Sequence, residues 1–259
     1  MQLDGQIALV TGAGQGIGKA ICLKLADAGA DIAAVDINQT TVNALKPEIE
    51  ILGRRFLSLT ADVGDIRAID KMVHQTIKHF GRIDIAVNNA GVTRRAFIMD
   101  LTEDDWDRTH RVNAKGVFFC LQRVAKEMIE QGGGRIINIA SIAGKGFEGT
   151  SNAAYAASKG AVLSLTKTAA QQLGPHNITV NAVCPGVTQT EMYQEIAKVN
   201  AAKEGISVDD ILKSVSESIP LRRMSQPQDI ADTVVFLASP AAHNISGQSL
   251  NVDGALVPH

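Results

Sequence analysis

Ile7-Ala8-Leu9-Val10-Thr11-Gly12-Ala13-Gly14-Gln15-Gly16-Ile17-Gly18 is the stretch that decides how this chain folds. The four leading apolar residues read as a buried strand. From Gly16 to Ala28, the residues Ile17, Ala20, Ile21, Leu25 and Ala28 recur at three- and four-residue spacing, so a helix begins where the glycines end, and Gly29 stands at its C-cap. The glycines in register are Gly12, Gly16 and Gly18, a GxxxGxG pattern rather than the stricter GxGxxG. The physics is the same for both: glycines let the backbone approach a pyrophosphate, and the free N–H groups and dipole of the following helix favour its charge. A glycine-rich turn alone is also compatible with a purely structural role.

Outward from this turn the alternation repeats. A second strand runs from Asp31 to Val35 and ends at Asp36, and further apolar runs follow at Phe56-Leu59, Ile83-Val87, Arg135-Ile139, Ile178-Val183 and Ser249-Val252, with helical patterns between them. Strand and helix at this cadence predict a doubly wound α/β fold, a seven-stranded parallel sheet covered by helices on both faces. No linker, low-complexity segment or internal repeat divides the chain, so residues 1–259 read as a single domain. Only the stretch from Thr188 to Pro220 breaks the rhythm. It carries two amphipathic patterns (Met192, Ile196, Val199; then Ile211, Leu212, Val215), and an insertion after the carboxyl end of a parallel strand lies over the ligand crevice. We read 188–220 as a substrate lid; a helical excursion serving stability or assembly is the alternative.

Composition narrows the class. With 45% hydrophobic and 20% charged residues the 259-residue chain is not disordered, and 25 Lys+Arg against 27 Asp+Glu leaves no basic surface for a nucleic acid. No apolar run reaches the roughly 18 residues of a membrane helix, and Asp4 and Gln6 stand where a signal peptide would be basic and then apolar. A cytoplasmic protein is expected, with Cys22, Cys120 and Cys184 as reduced core thiols because they form no CxxC pair. The six histidines offer no i, i+4 pair, so no metal site is expected.

Asp36 lies 20 residues after Gly16 at a strand end, where a carboxylate accepts hydrogen bonds from the adenosine ribose and repels a 2'-phosphate. No Lys or Arg occurs from Thr11 to Gly18 or directly after Asp36, so NAD(H) is expected over NADP(H). Tyr155 and Lys159 are spaced i, i+4 at the start of a helical run reaching about Leu173, which puts phenol and ammonium on one face. A neighbouring cation favours the phenolate and would bring a tyrosine of ordinary pKa near 10 toward the working range of a general base.

Ser141 just after the fifth strand, Asn113 in the helical pattern that begins near Thr102, and Asn88-Asn89-Ala90-Gly91 after the fourth strand place polar groups at adjacent strand ends. With Asp62-Val63, Pro185-Gly186 and Val252-Asp253-Gly254 in this order, the chain resembles the short-chain dehydrogenase/reductase family over essentially its whole length. The resemblance implies a catalytic set of Asn113, Ser141, Tyr155 and Lys159. Tyr155 would exchange a proton with the substrate oxygen, Ser141 would hydrogen-bond that oxygen, Lys159 would lower the tyrosine pKa and hold the nicotinamide ribose, and Asn113 would anchor a water linking Lys159 to solvent. It further implies cofactor contacts at Gly12, Gln15, Gly16, Ile17, Gly18, Asp36 and Ile37, at Asp62 and Val63 beside the adenine, at Asn89, Ala90 and Gly91 beside the ribose, and at Pro185, Gly186, Thr188 and Thr190 around the nicotinamide.

Ser141 precedes Tyr155 by 14 positions, one more than in many members, so the Gly144-Asn152 loop has gained a residue and no single relative's substrate transfers. Thr93 and Val187 replace the glutamine and tryptophan of the 3-hydroxybutyrate dehydrogenase branch. Gly91-Val92-Thr93-Arg94 is similar to 3-oxoacyl-carrier-protein reductases, while Gly14 to Lys19 is shared with acetoin and polyol dehydrogenases. A small alcohol or ketone is the expected substrate; a 3-oxoacyl thioester, or a dinucleotide sensor without turnover, are the alternatives. Glu103-Asp104-Asp105 after Thr102 reads as helix capping, and Arg94-Arg95 as a solvated pair. The helices with Phe118-Phe119 and Leu163-Leu165 are apolar on more than one face, and in the family they pair across a dyad to give a homotetramer.

Overall fold

The computed structural model describes residues 2–257, apart from the side chains of Met192, Val199, Asn200 and Lys203. Met192 and Val199, part of the amphipathic pattern of the insertion, therefore lie outside the described side chains. In chain order the elements are β1 (Ile7–Thr11), α1 (Gly16–Asp27), β2 (Asp31–Asp36), α2 (Gln39–Asn43), α3 (Lys46–Ile51), β3 (Phe56–Thr60), α4 (Ile66–Phe80), β4 (Ile85–Asn88) and α5 (Glu103–His110). After a π-helical turn, Arg111–Gly116, come α6 (Val117–Gln131), β5 (Gly134–Ile139), α7 (Ala153–Leu173), β6 (Ile178–Pro185), α8 (Glu191–Glu204), α9 (Val208–Ser218), α10 (Pro227–Ala238) and β7 (Ser249–Val252).

All seven strands are parallel, in the order β3, β2, β1, β4, β5, β6, β7. Strand alternation buries both faces, as expected for a sheet wound by crossover helices. Ala8, Val10, Ile32, Ala34, Val87 and Ile139 point to one side, where Ile21 and Leu25 of α1 and Val234 and Leu237 of α10 cover them. Leu9, Ala33, Val35, Ala86 and Ile136 point to the other, under Met72 and Val73 of α4, Val124 and Met128 of α6 and Ala169 of α7. Each large aliphatic side chain so buried contributes about 1.5–3 kcal/mol.

The chain turns back on itself between β1 and β4, and this reversal opens a crevice at the carboxyl ends of the two strands. Register fixes which residues flank it: Thr11 lies opposite Val35, Val10 opposite Val87, and Asn88 opposite Asn138. A buried amide chain locks that end of the sheet to α7, because Asn88 Nδ2 donates to Asn138 Oδ1 (2.9 Å) and Asn138 Nδ2 donates to Thr166 Oγ1 (2.9 Å). The segment between β6 and α10 forms a helical hairpin with its own small core, in which Ala197, Ala201 and Ile211 pack with Tyr193, Val208 and Leu212. Its two stems are tied together: Ser225 N donates to Val187 O (3.0 Å) and Gln189 N to Ser225 O (2.9 Å).

Candidate active site

Thr11 closes β1 and joins it to β4. Its Oγ1 accepts from Asn89 N (3.1 Å) and Ala90 N (3.2 Å), while Asn89 Nδ2 donates to Thr11 O (3.0 Å) and Gly12 O (2.9 Å). The glycines that follow are required by space and by backbone conformation. A Cβ on Gly18 would lie 1.9 Å from Gly12 O, one on Gly14 would lie 2.2 Å from Thr41 Oγ1, and Gly12 and Gly16 adopt φ of +64° and +52°. Gln15 caps α1 without a side-chain hydrogen bond, and no acid occupies the first turn. The leading N–H groups of α1 and its dipole are thus available to an anion, which fits the diphosphate of a dinucleotide.

Asp36 turns its carboxylate toward this loop. Oδ2 accepts from Gly14 N (2.8 Å) and Oδ1 from Asn38 N (2.9 Å), and Ile37 beside it is exposed. Asp62 ends the excursion after β3, with Val63 buried next to it. Its Oδ1 accepts from Gly64 N and its Oδ2 from Arg111 Nη1, both at 2.8 Å. Burial pushes the Asp62 carboxyl up, but the Arg111 hydrogen bond, the Gly64 N–H and the Arg111 charge outweigh it and hold the group below its ordinary value. Arg111 has no part in the sequence reading; nothing in its local pattern points to a partner 49 residues away.

Ser141 leaves β5 and caps the short turn Ile142–Lys145, its Oγ accepting from Ala143 N (3.1 Å). That turn packs closely on α7, since a Cβ on Gly144 would meet the Lys159 carbonyl carbon at 2.6 Å. Asn152 caps α7 by accepting from Tyr155 N (2.7 Å) and so fixes the first turn, which carries the tyrosine. Lys159 follows one turn later at 3% exposure, with Nζ donating to Ile139 O (2.7 Å) and lying 5.8 Å from the centre of the Tyr155 ring.

Burial shifts both the Tyr155 phenol and the Lys159 ammonium. Burial raises the Tyr155 phenol above its ordinary value, and the opposing pull comes from the Ser141 hydroxyl. Lys159, turned to a strand carbonyl, is itself pushed down by burial to about 8, against the influence of Cys184. It remains largely protonated at neutral pH.

Asn113 lies fully buried in the π-helical turn, and its side chain works as a splice. Oδ1 accepts from Val92 N (2.8 Å), while Nδ2 donates to Val92 O (2.9 Å) and Ser158 Oγ (3.2 Å). It therefore holds the Gly91-Val92 wall against α7. The wider turn is the signal the sequence pattern lacked, because a helical periodicity does not reveal one extra residue per turn.

Farther out, the loop before Asn152 is fastened to the segment after β4. Thr93 Oγ1 and Ser151 Oγ are 2.6 Å apart, Ala96 N donates to Ser151 O (3.1 Å) and Asn152 Nδ2 donates to Arg94 O (2.5 Å). Pro185 ends β6. Gly186 sits so close to Asp253 that a Cβ would lie 2.6 Å from its Cβ, which explains the glycine beside the carboxyl-terminal Val252-Asp253-Gly254 run. Thr188 is buried and donates to Gly186 O (3.1 Å). Thr190 caps α8 and, with Glu191, lies against Gly16: Thr190 Cγ2 and Glu191 Oε2 are 3.5 and 3.6 Å from where its Cβ would be.

The fold thus gathers Ser141, Tyr155 and Lys159 on one side of the crevice and the glycine loop, Asp36 and Asp62 along the other, with Asn89 to Gly91 between. The remaining motifs take structural places. Thr102 and Asp105 form a reciprocal capping box on α5, and Cys22, Cys120 and Cys184 are separate, buried thiols. Among the described residues no group of three or more His, Cys, Asp or Glu is placed to hold a metal ion. No helix among them is long and apolar enough to cross a membrane.

A family profile described as enoyl-(acyl carrier protein) reductase matches residues 12–256. The chain is 39% identical over 258 residues to a 3-oxoacyl-(acyl-carrier-protein) reductase of Thermotoga maritima, covering 99% of this chain and 100% of that one. The chain belongs to the short-chain dehydrogenase/reductase family. A 2-dehydro-3-deoxy-D-gluconate 5-dehydrogenase of Dickeya dadantii is 40% identical over 254 residues, 97% of this chain and 95% of that one. Among solved structures, an NAD+-bound xylitol dehydrogenase superposes with a TM-score of 0.91 at 34% identity, covering 98% of this chain and 100% of that one. As a short-chain dehydrogenase/reductase the protein is an oxidoreductase, and members of the family typically use a nicotinamide cofactor.

Proposed function

We propose that this short-chain dehydrogenase/reductase interconverts a secondary alcohol and a ketone with NAD(H), with Tyr155 as the acid/base group. The observation that carries the reading is the convergence of three groups at the ends of β5 and α7: a phenol under the influence of the Ser141 hydroxyl, and an ammonium one helical turn away. When bound, the nicotinamide supplies the acceptor or donor of a hydride. The chain's residues do the rest. In the oxidative direction Tyr155 Oη takes the proton of the substrate hydroxyl, and in the reductive direction it returns one to the carbonyl oxygen. Ser141 Oγ hydrogen-bonds that oxygen and stabilises the charge that develops on it. Lys159 keeps a positive charge under the phenol, and Asn113 holds the Gly91-Val92 wall in place. The α8–α9 hairpin would act as the lid, because its first residues lie against Gly16.

Replacing Tyr155 by Phe tests this reading. The variant is expected to bind NADH as the wild type does and to lose at least about a hundredfold in kcat, the scale of a general acid/base contribution. Retained binding with no turnover on any alcohol or ketone in the wild type would favour a redox sensor instead.

Asp36 supports NAD(H) over NADP(H). Its carboxylate stands at the glycine loop, where a 2'-phosphate would meet like charge. Steady-state comparison is expected to give a kcat/KM higher with NADH than with NADPH, and a clear NADPH preference would refute the assignment. The Thermotoga relative's name favours one further reading, reduction of a 3-oxoacyl thioester by the same Tyr155 chemistry. A screen that sets diols, polyols and cyclic alcohols beside a 3-oxoacyl thioester separates the two. We place the protein in the cytoplasm as a homotetramer.

A further inference from the structure

Two arginines stand side by side after β4, and the fold uses them differently. The Arg94 guanidinium forks onto the Asp105 carboxylate through Nε and Nη2, and Nη2 also donates to Asp100 O (3.0 Å). Arg94 is therefore part of the cap of α5. Arg95 is exposed and forms no ion pair with any described residue. Its backbone is nonetheless held on both sides, by Asn152 Nδ2 on Arg94 O and by Ala96 N on Ser151 O. The Asn152 side chain that grips Arg94 O also receives the N–H of Tyr155. The stem of Arg95 is thus set at a fixed offset from the acid/base tyrosine.

The charge of Arg95 is felt in the helical hairpin that follows β6. Tyr193 lies one turn into α8, half-buried in the hairpin's small core, and the charge on Arg95 acts on its phenol, pulling against the burial that raises it. The cap of the same helix, Thr190, lies against Gly16. An exposed cation without a carboxylate partner among the described residues is therefore anchored through its backbone to the cap of the helix that carries Tyr155. A guanidinium in such a place offers a planar pair of donors matched to a carboxylate.

We propose that Arg95, together with Tyr193 of the lid, is the specificity-determining site for a carboxylate on the substrate, so that the ketone or alcohol reduced or oxidised at Tyr155 belongs to a keto or hydroxy acid. The inference rests on the oxidoreductase reading and names its substrate class. Binding is shared between ground and transition state, so the contribution falls on KM more than on kcat.

The test uses keto acids, each paired with its own methyl ester, with NADH as reductant and the full-length wild type, Arg95→Ala, Arg95→Lys and Tyr193→Phe. Wild type is expected to favour each acid over its ester. In Arg95→Ala that preference is expected to shrink by about ten- to a hundredfold, the scale of a hydrogen bond to a charged group, with Arg95→Lys restoring part of it and Tyr193→Phe losing a smaller share. An acid-to-ester ratio unchanged in Arg95→Ala, or absent in wild type, overturns the inference while turnover of the esters leaves the oxidoreductase reading standing. If no pair turns over, fluorescence of bound NADH separates the cases. Perturbation by the acids in wild type but not in Arg95→Ala upholds the carboxylate site and removes the redox reading, and no perturbation in either removes both.

Discussion

Lys159 is an ammonium at 3% exposure whose Nζ donates to the Ile139 carbonyl, and its energetics run against the stability of the fold. Burial brings its pKa from 10.5 to about 8. A lysine with a folded pKa below its unfolded one binds its proton less tightly when folded, so the unfolded state carries more protons between those two values and stability rises with pH there. The penalty is fully present below about pH 8 and is relieved by about pH 10.5. A shift of this size corresponds to about 3 kcal/mol. Lys159→Met removes the charge and keeps most of the stem, at the loss of one hydrogen bond of about 1 kcal/mol. Urea unfolding is therefore expected to find the Lys159→Met variant more stable than wild type by about 2 kcal/mol at pH 7, with the advantage fading toward pH 10.5. A difference that does not change with pH would contradict this account. A buried cation that costs stability is what the proposed role of Lys159 beside the acid/base tyrosine requires.

Among the elements, α8 joins the insertion to the crevice. Glu191 is in its first turn, where a carboxylate stabilises the helix dipole, yet Glu191 Oε2 also lies 3.6 Å from the position of a Cβ on Gly16. If the hairpin closes over the diphosphate, that carboxylate and the ligand repel each other. Glu191→Gln is then expected to tighten NADH about two- to fivefold in a fluorescence titration, in line with 0.3–1 kcal/mol for an exposed charge at a helix end, roughly. Unchanged or weaker binding would place α8 away from the cofactor. The two halves of the crevice were unequally readable from sequence. The strand, the glycines and the i, i+4 pair of Tyr155 and Lys159 are local patterns, and local patterns survive in one dimension. Arg111 on Asp62, Asn138 between Asn88 and Thr166, and Asn152 on Arg94 join residues far apart in the chain by side-chain hydrogen bonds, and no periodicity encodes such pairings. The partition of Arg94 and Arg95 into a capping and an unpaired guanidinium was hidden for the same reason.

At the scale of the molecule, the sheet is buried on both faces, but the helices covering one of them are not finished by it. Phe118 on α6 is 41% exposed while Phe119 packs inward, so the pair straddles the helix and leaves one ring in water. Leu163 and Leu165 on α7 are only partly buried. The proposed homotetramer would cover these residues, and a two-fold contact brings the same residue of both copies close together. Phe118→Glu would then place two carboxylates near one another in a desolvated contact, which is strongly unfavourable for a charge without a partner. Ile51, 85% exposed on α3, is the control, because α3 is not one of the two helices of the proposed contact. Light scattering at micromolar concentration is expected to give four chain masses for the wild type and for Ile51→Glu, and a smaller assembly for Phe118→Glu. A monomeric wild type, or a Phe118→Glu variant that keeps all four chains, would remove α6 from the interface and leave its exposed ring without an explanation.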